Sequence, residues 1–172
     1  WGAWDDDRIG NWLAPELDFL TRAIAEDVPI FGICFGGQLL ARALGGSVAP
    51  GPKPEIGWTV VHTDRPDLVP AGPWFQFHYD RWQLPAEALE IARNSAASQA
   101  FTNGRNLGVQ FHPELTPEML LGWLNNGGRD LVIKDGQDPD VLLAHTEAER
   151  DTAKERTNQL VDAFLRDVAK LI

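Results

Sequence analysis

Val28-Pro29-Ile30-Phe31-Gly32-Ile33-Cys34-Phe35-Gly36 is the stretch on which the fold turns. Val28 to Ile33 is a short run, apolar on both faces, which is how a buried parallel strand reads. A helix is expected to follow from about Gly36 to Leu44, stopped by Gly45-Gly46. A cysteine between strand and helix, in the pattern Gly-x-Cys-x-Gly, calls for a sharp and strained turn. Small residues two positions to either side let the chain turn without clashing. Cys34 then stands at the end of the sheet and at a helix N-terminus, where the dipole and the N–H groups favour a thiolate. The N–H of Phe35 is placed to stabilise an oxyanion. A buried, inert cysteine is the competing reading, since free cysteines are often just that, and this stretch alone leaves the two even.

The second stretch lies 78 residues on from Cys34, at Phe111-His112-Pro113-Glu114. A cysteine nucleophile needs a base, and the base needs a group to orient it. Proline pushes the residue before it into extended geometry, and in an extended segment residues two apart point the same way. His112 and Glu114 can therefore face one another across Pro113, with Glu114 holding the imidazole tautomer and His112 facing Cys34. By itself a His-x-Glu is more often a surface pair. Together with the cysteine turn, that becomes the minority reading.

Outside these two stretches the pattern is α/β. Leu13 to Asp27 is expected to be a helix, with Leu13, Leu17, Leu20 and Ile24 at helical spacing and Pro15 in its first turn. Asp5 to Asp7 is expected to be a solvated acidic loop. From Gly51 to Phe101 short β segments separated by Pro, Gly, Asp and Asn form a β-rich insert, and Leu107 to Phe111 is a further strand. Thr116-Pro117 starts another helix, which Gly127-Gly128 ends. Thr146 with Glu149 reads as a capping box for the last helix, whose stripe of Leu160, Val161, Phe164, Leu165, Val168 and Leu171 is core packing.

The chain has 172 residues, 44% of them hydrophobic, which suits one domain with a sizeable core. Most of its seven Trp and eight Phe should be core or cleft wall. A net charge of −10 argues against nucleic acid and against an anionic membrane surface. One cysteine excludes an internal disulfide and fits a reducing, cytoplasmic setting. No apolar run is long enough to span a bilayer, no Cys/His cluster has metal-ligand spacing, and no cofactor is expected. His62 and His145 are expected at the surface.

The two stretches, taken as Val28 to Gly46 and Gly108-Val109-Gln110-Phe111-His112-Pro113-Glu114, resemble the class I glutamine amidotransferases, close to stand-alone proteins similar to the glutaminase domain of GMP synthase. The resemblance extends over nearly the whole chain, residues 1–172, including His78-Tyr79-Asp80. It implies a flavodoxin-like, mostly parallel sheet with flanking helices and a small antiparallel insert. It also implies that Cys34 attacks the glutamine side-chain amide to give a glutamyl thioester, with His112 as acid and base and Glu114 as its orienter. Gln38, one turn into the helix on the cleft side, matches a residue that contacts the bound glutamine. Tyr79 and Asp80 match a loop that lines the glutamine pocket, as backbone or pocket wall.

In the family, two strand–helix units and a Gly-Gly loop carrying a second oxyanion donor precede the segment that matches Trp1. About 60 residues are then absent, at about 30 residues per strand–helix step. A fragment of a longer protein is the favoured reading over a shortened natural one, because stripped central strands would leave buried edges unpaired. Residues 1–172 alone are expected to be unstable and nearly inactive. The leading function is a glutaminase that passes ammonia to an acceptor. A γ-glutamyl amide hydrolase on the same fold and a catalytically silent binding module are the alternatives. No Gly-rich phosphate loop occurs in these residues, and any synthetase that uses the ammonia is expected to be a separate protein.

Overall fold

The computed structural model describes residues 2–172. Its six strands are β1 (Ile30–Ile33), β2 (Ser47–Thr63), β3 (Gly72–Gln83), β4 (Leu89–Arg93), β5 (Ser98–Asn103) and β6 (Asn106–Val109). The five helices are α1 (Asp6–Ala25), α2 (Phe35–Ala43), α3 (Pro117–Trp123), α4 (Arg129–Lys134) and α5 (Pro139–Ala163). The strands form one curled sheet in the order β1-β6-β5-β4-β2-β3.

The α/β class with flanking helices is observed. The expectation of a mostly parallel sheet is corrected: among the described residues only β1 and β6 pair in parallel, and every other neighbouring pair is antiparallel. The reason lies in the insert, which is larger than its short apolar runs suggest. β2 and β3 run for 17 and 12 residues and pair with each other along most of their length. Pro50, Pro52 and Pro54 break the alternation that would have revealed β2, and the register shifts between Pro50 and Glu55. β1 stands at one end of the sheet order, paired with β6 on one side.

Three apolar clusters hold the layers together. On one face α1 and α2 pack on the sheet through Leu13, Leu39, Leu40, Trp82 and Phe101. On the other, the end of α5 and the turn after it bring Leu160, Phe164 and Val168 onto Leu107, Val109 and Phe111. The third joins Phe75 to Leu120, Leu124, Val132 and Leu142 of the C-terminal helices. Gly108 sits where the Phe101 ring crosses β6: a Cβ there would lie 2.3 Å from the ring. Burying a Phe of this kind stabilises by about 2 kcal/mol, so the glycine is dictated by its register partner.

Several local expectations change. α1 begins at Asp6, so Asp6 and Asp7 are in its first turn, where acidic side chains suit the helix dipole, rather than in a loop. Pro15 is consequently inside the helix, at a cost of about 3 kcal/mol. The burial of Ile9 and Leu13 on one face explains why the helix runs through it. Thr116 does cap α3, accepting from the Met119 N–H. Thr146 is not a cap: α5 starts at Pro139 with Asp138 as its cap, and the Thr146 hydroxyl accepts from Trp58 Nε1 inside the helix. His78 to Asp80 lies within β3, not in a loop.

Candidate active site

Cys34 joins β1 to α2 with φ 48° and ψ −106°. That backbone is rare for a residue with a side chain and costs about 1–3 kcal/mol. Its N–H bonds the Val109 carbonyl at 2.8 Å, so the turn is tied to the end of β6. The crowding that selects glycine is at Gly32 and Gly37. A Cβ on Gly32 would lie 2.6 Å from the Gly36 carbonyl oxygen, and one on Gly37 would lie 2.8 Å from that of Val109. Around Gly36 there is open space. The expected small residue two positions after the cysteine therefore has no steric cause here, and Gly37 carries that constraint.

Beyond Val109 the chain continues to His112, whose N–H bonds the Phe75 carbonyl of β3 at 2.8 Å. Thr157 of α5 donates its hydroxyl to the Pro113 carbonyl at 2.6 Å. Thus β3 and α5 hold the His112–Glu114 segment from two sides. Within it His112 Nδ1 and Glu114 Oε1 are 2.7 Å apart, a short charge-assisted contact. The Trp123 ring stands edge-on to the imidazole, with centroids 5.0 Å apart, and limits its tilt. Burial by itself would lower the His112 pKa. Hydrogen bonds to Cys34 and Glu114, and the negative charge on both, outweigh burial and raise it from 6.5 to about 10. The two motifs that the sequence set 78 residues apart thus meet at the carboxyl ends of the paired strands β1 and β6.

Phe35 is the first residue of α2, and its ring lies 5.7 Å from Trp12. Gln38 is buried, and its Nε2 donates to the Asp80 carbonyl at 3.2 Å and to Gln110 Oε1 at 3.3 Å. Both amide hydrogens are thus used within the protein, and a contact from Gln38 to a ligand would fall to its Oε1. Asp80 carries its carbonyl to this site, while its carboxylate packs against the Gly2 backbone. Tyr79 is exposed and opens on a cavity of about 430 Å³ lined with Pro52, Lys53, Phe77, Leu131 and Lys134, and neither Cys34 nor His112 lines it.

Gln110 is the residue that sequence reading missed. It is fully buried, and its Nε2 lies 3.7 Å from Cys34 Sγ. Its place two residues before His112, on the same side of an extended segment, was the available signal. Among the described residues no group of three or more His, Cys, Asp or Glu side chains is arranged to hold a metal ion, and no helix is long and apolar enough to cross a membrane.

Residues 10–126 match the family model for glutamine amidotransferase class-I. The chain belongs to the class I glutamine amidotransferases. Its curated relatives include a glutamine-hydrolyzing GMP synthase subunit of Sulfurisphaera tokodaii, 36% identical over 114 residues that make up 61% of this chain and 59% of the relative. They also include a gamma-glutamyl-L-1-hydroxyisopropylamide hydrolase of a Pseudomonas species, 31% identical over 139 residues, 70% of this chain and 47% of the relative. The chain therefore spans about half the length of these two relatives. Among solved structures, a glutamine amidotransferase from Thermotoga maritima superposes with a TM-score of 0.87 at 28% identity, over 97% of this chain and 75% of that one. The Cys34 turn and the His112–Glu114 segment both fall inside the part that matches the amidotransferase model.

Proposed function

We propose that the protein hydrolyses the side-chain amide of glutamine through a thioester on Cys34. The sulfur attacks the amide carbon, and the oxyanion that forms is met by the N–H of Phe35 at the start of α2. His112 gives its proton to the departing nitrogen, which leaves as ammonia. Water then attacks the thioester with His112 as base, and glutamate is released with the thiolate restored. Glu114 keeps Nδ1 engaged, so the imidazole presents its other nitrogen to the reaction. Gln38, Tyr79 and Asp80 remain proposed as contacts or walls for the glutamine, with Gln38 linked to the sulfur through Gln110. The protein is placed in the cytoplasm, where its single thiol stays reduced.

The observation that carries this reading is His112 set between Cys34 and Glu114, with Nδ1 2.7 Å from the carboxylate and both partners pushing its pKa up. An imidazolium is the partner a thiolate needs. The relatives named as single subunits of a glutamine-hydrolyzing GMP synthase favour an ammonia acceptor carried on a separate synthetase. The Pseudomonas relative supports a second reading, in which a γ-glutamyl amide other than glutamine is cleaved and an amine leaves. A silent binding module would have no use for the shared Cys34–His112–Glu114 geometry.

The test is a release assay comparing glutamine with several γ-glutamyl amides for ammonia and amine. A glutamine analogue with an electrophile at its side-chain end should label Cys34. Faster amine release from a γ-glutamyl amide would select the second reading, and no turnover or labelling would favour the silent module.

A further inference from the structure

His112 is not alone in reaching the sulfur, and the direction of the Gln110 contact is fixed from a distance. The starting point is Glu55, buried on β2 directly opposite His78 in the register of β2 and β3. Burial would raise its pKa, but hydrogen bonds from His78 and Asn94, with the charges of His78 and Arg81, bring it below the ordinary value. An ionised carboxylate only accepts. Gln99 Nε2 donates to Oε2 at 3.2 Å, which turns Gln99 Oε1 towards Gln76 Nε2 at 2.9 Å. Gln76 therefore presents its own oxygen to His78 Nε2 at 3.1 Å, with Glu55 Oε2 3.2 Å from the same nitrogen. On the other side of the ring, His78 Nδ1 meets the Asp80 carbonyl at 3.0 Å. These contacts hold the His78 ring from both sides, between Gln76 and Glu55 at one nitrogen and the Asp80 carbonyl at the other. His78 and Glu55 form a buried pair whose side chains are 2% and 8% exposed.

The Asp80 carbonyl, fixed in place by the His78 ring, joins this network to the active site. It accepts from Gln38 Nε2 as well as from His78. A carbonyl cannot face an amide oxygen, so Gln38 must point its nitrogen there, and its second N–H goes to Gln110 Oε1. With its oxygen engaged, Gln110 turns its nitrogen to Cys34 Sγ. Each amide in the chain would otherwise be free to flip, and a flipped Gln110 would set an oxygen lone pair against a thiolate.

We propose that the buried Glu55–His78 pair holds the Asp80 carbonyl in place, that this carbonyl orients Gln38 and through it Gln110, and that Gln110 is thereby a second hydrogen-bond donor to the Cys34 thiolate. Gln110 is thereby a catalytic residue of the thioester reaction; Glu55, His78 and Gln38 are positioning residues. The proposal rests on Cys34 being the nucleophile.

Because Cys34 is the only cysteine, iodoacetamide alkylation reports on this sulfur directly. The rate is measured against pH in the intact protein and in its Gln110→Met, Glu55→Gln and His112→Ala variants, each with a melting curve. Gln110→Met keeps the volume and removes the donor. It should move the profile about one unit to higher pH and slow alkylation at pH 7 about tenfold, the effect of one hydrogen bond to a charged group. Glu55→Gln should act in the same direction, about threefold, since it loosens the orientation without removing the donor. His112 faces the sulfur in both of these variants, and Arg81 faces Glu55, so neither accounts for a difference between them. In the unmodified protein the Gln110 side-chain amide resonances should titrate with Cys34, a readout that needs no variant to fold. An unmoved profile in folded Gln110→Met, or Gln110 resonances that ignore the thiol, overturns the relay alone. Alkylation unaffected by His112→Ala overturns the nucleophile reading beneath it.

Discussion

The molecule contains two histidine–carboxylate pairs, and they are put to opposite uses. His112 and Glu114 are neighbours across a proline, with one imidazole nitrogen on the carboxylate and the other left to the side of Cys34. His78 and Glu55 face each other across two strands, and acceptors meet the imidazole on both nitrogens. A ring with one nitrogen on the sulfur can move a proton there. A ring with both nitrogens committed can only hold position. The difference comes from the walls around each pair, not from the residue types in it.

The largest effects should separate the two histidines. His112→Ala should lower glutamine turnover by about four orders of magnitude, as expected when one member of a catalytic unit is removed. His78→Gln should act mainly on stability, with turnover reduced far less. Steady-state kinetics beside thermal melts would decide it, and a comparable kinetic loss in both would erase the distinction.

The carboxylates should divide in the same way. Glu114→Gln keeps the shape and removes the charge that orients His112, so kcat should fall about 100-fold with little change in melting temperature, Glu114 being at the edge of solvent. Glu55→Gln sets an amide against the buried donors of Gln99, Asn94 and His78 and should cost about 2 kcal/mol of stability in denaturant unfolding. Equal stability losses for the two variants would contradict the assignment.

The open pair should also set an alkaline limb of stability. The His112 pKa rises from 6.5 to about 10 on folding. A raised pKa means that its contribution is complete below about pH 6.5 and is lost as pH climbs through about 10. Denaturant midpoints should therefore drift down between those values, and Glu114→Gln should flatten the drift. If Glu55→Gln flattened it instead, the slope would belong to the other pair.

The smallest effect concerns the turn itself. Cys34→Gly should be more stable than Cys34→Ala by about 1 kcal/mol, because only glycine occupies φ 48° without strain. Identical melts for the two variants would show that the turn stores no strain.

What the sequence reveals follows from the range over which each feature is encoded. The Cys34 turn and the His112–Glu114 segment are local, within five residues each, and both are legible. The Glu55–His78 pair depends on the register of β2 against β3, which proline-interrupted patterning conceals. Gln110 shows its nature only once Gln38 and the Asp80 carbonyl assign its orientation. Pro15 misled in the opposite sense: a strong local signal for a helix start gave way to the burial of Ile9 and Leu13. In the same way Thr146 looks like a cap beside Glu149, yet it is inside α5 because Asp138-Pro139 starts that helix earlier.

The parallel pairing of Ile30 with Asn106 has a consequence for the life of the chain before it is finished. Cys34 is made long before its partners, and closing a loop of that length is among the slower events of folding. At about 5–20 residues per second of synthesis, the thiol spends several seconds with neither His112 nor Gln110 in existence. During that interval it has only the modest reactivity of any cysteine on a nascent chain. Among the described residues β6 is the last strand of the sheet to be synthesised, and on the proposed mechanism its docking brings the sulfur its partners. On that mechanism, the sulfur gains its partners only once translation has passed Glu114.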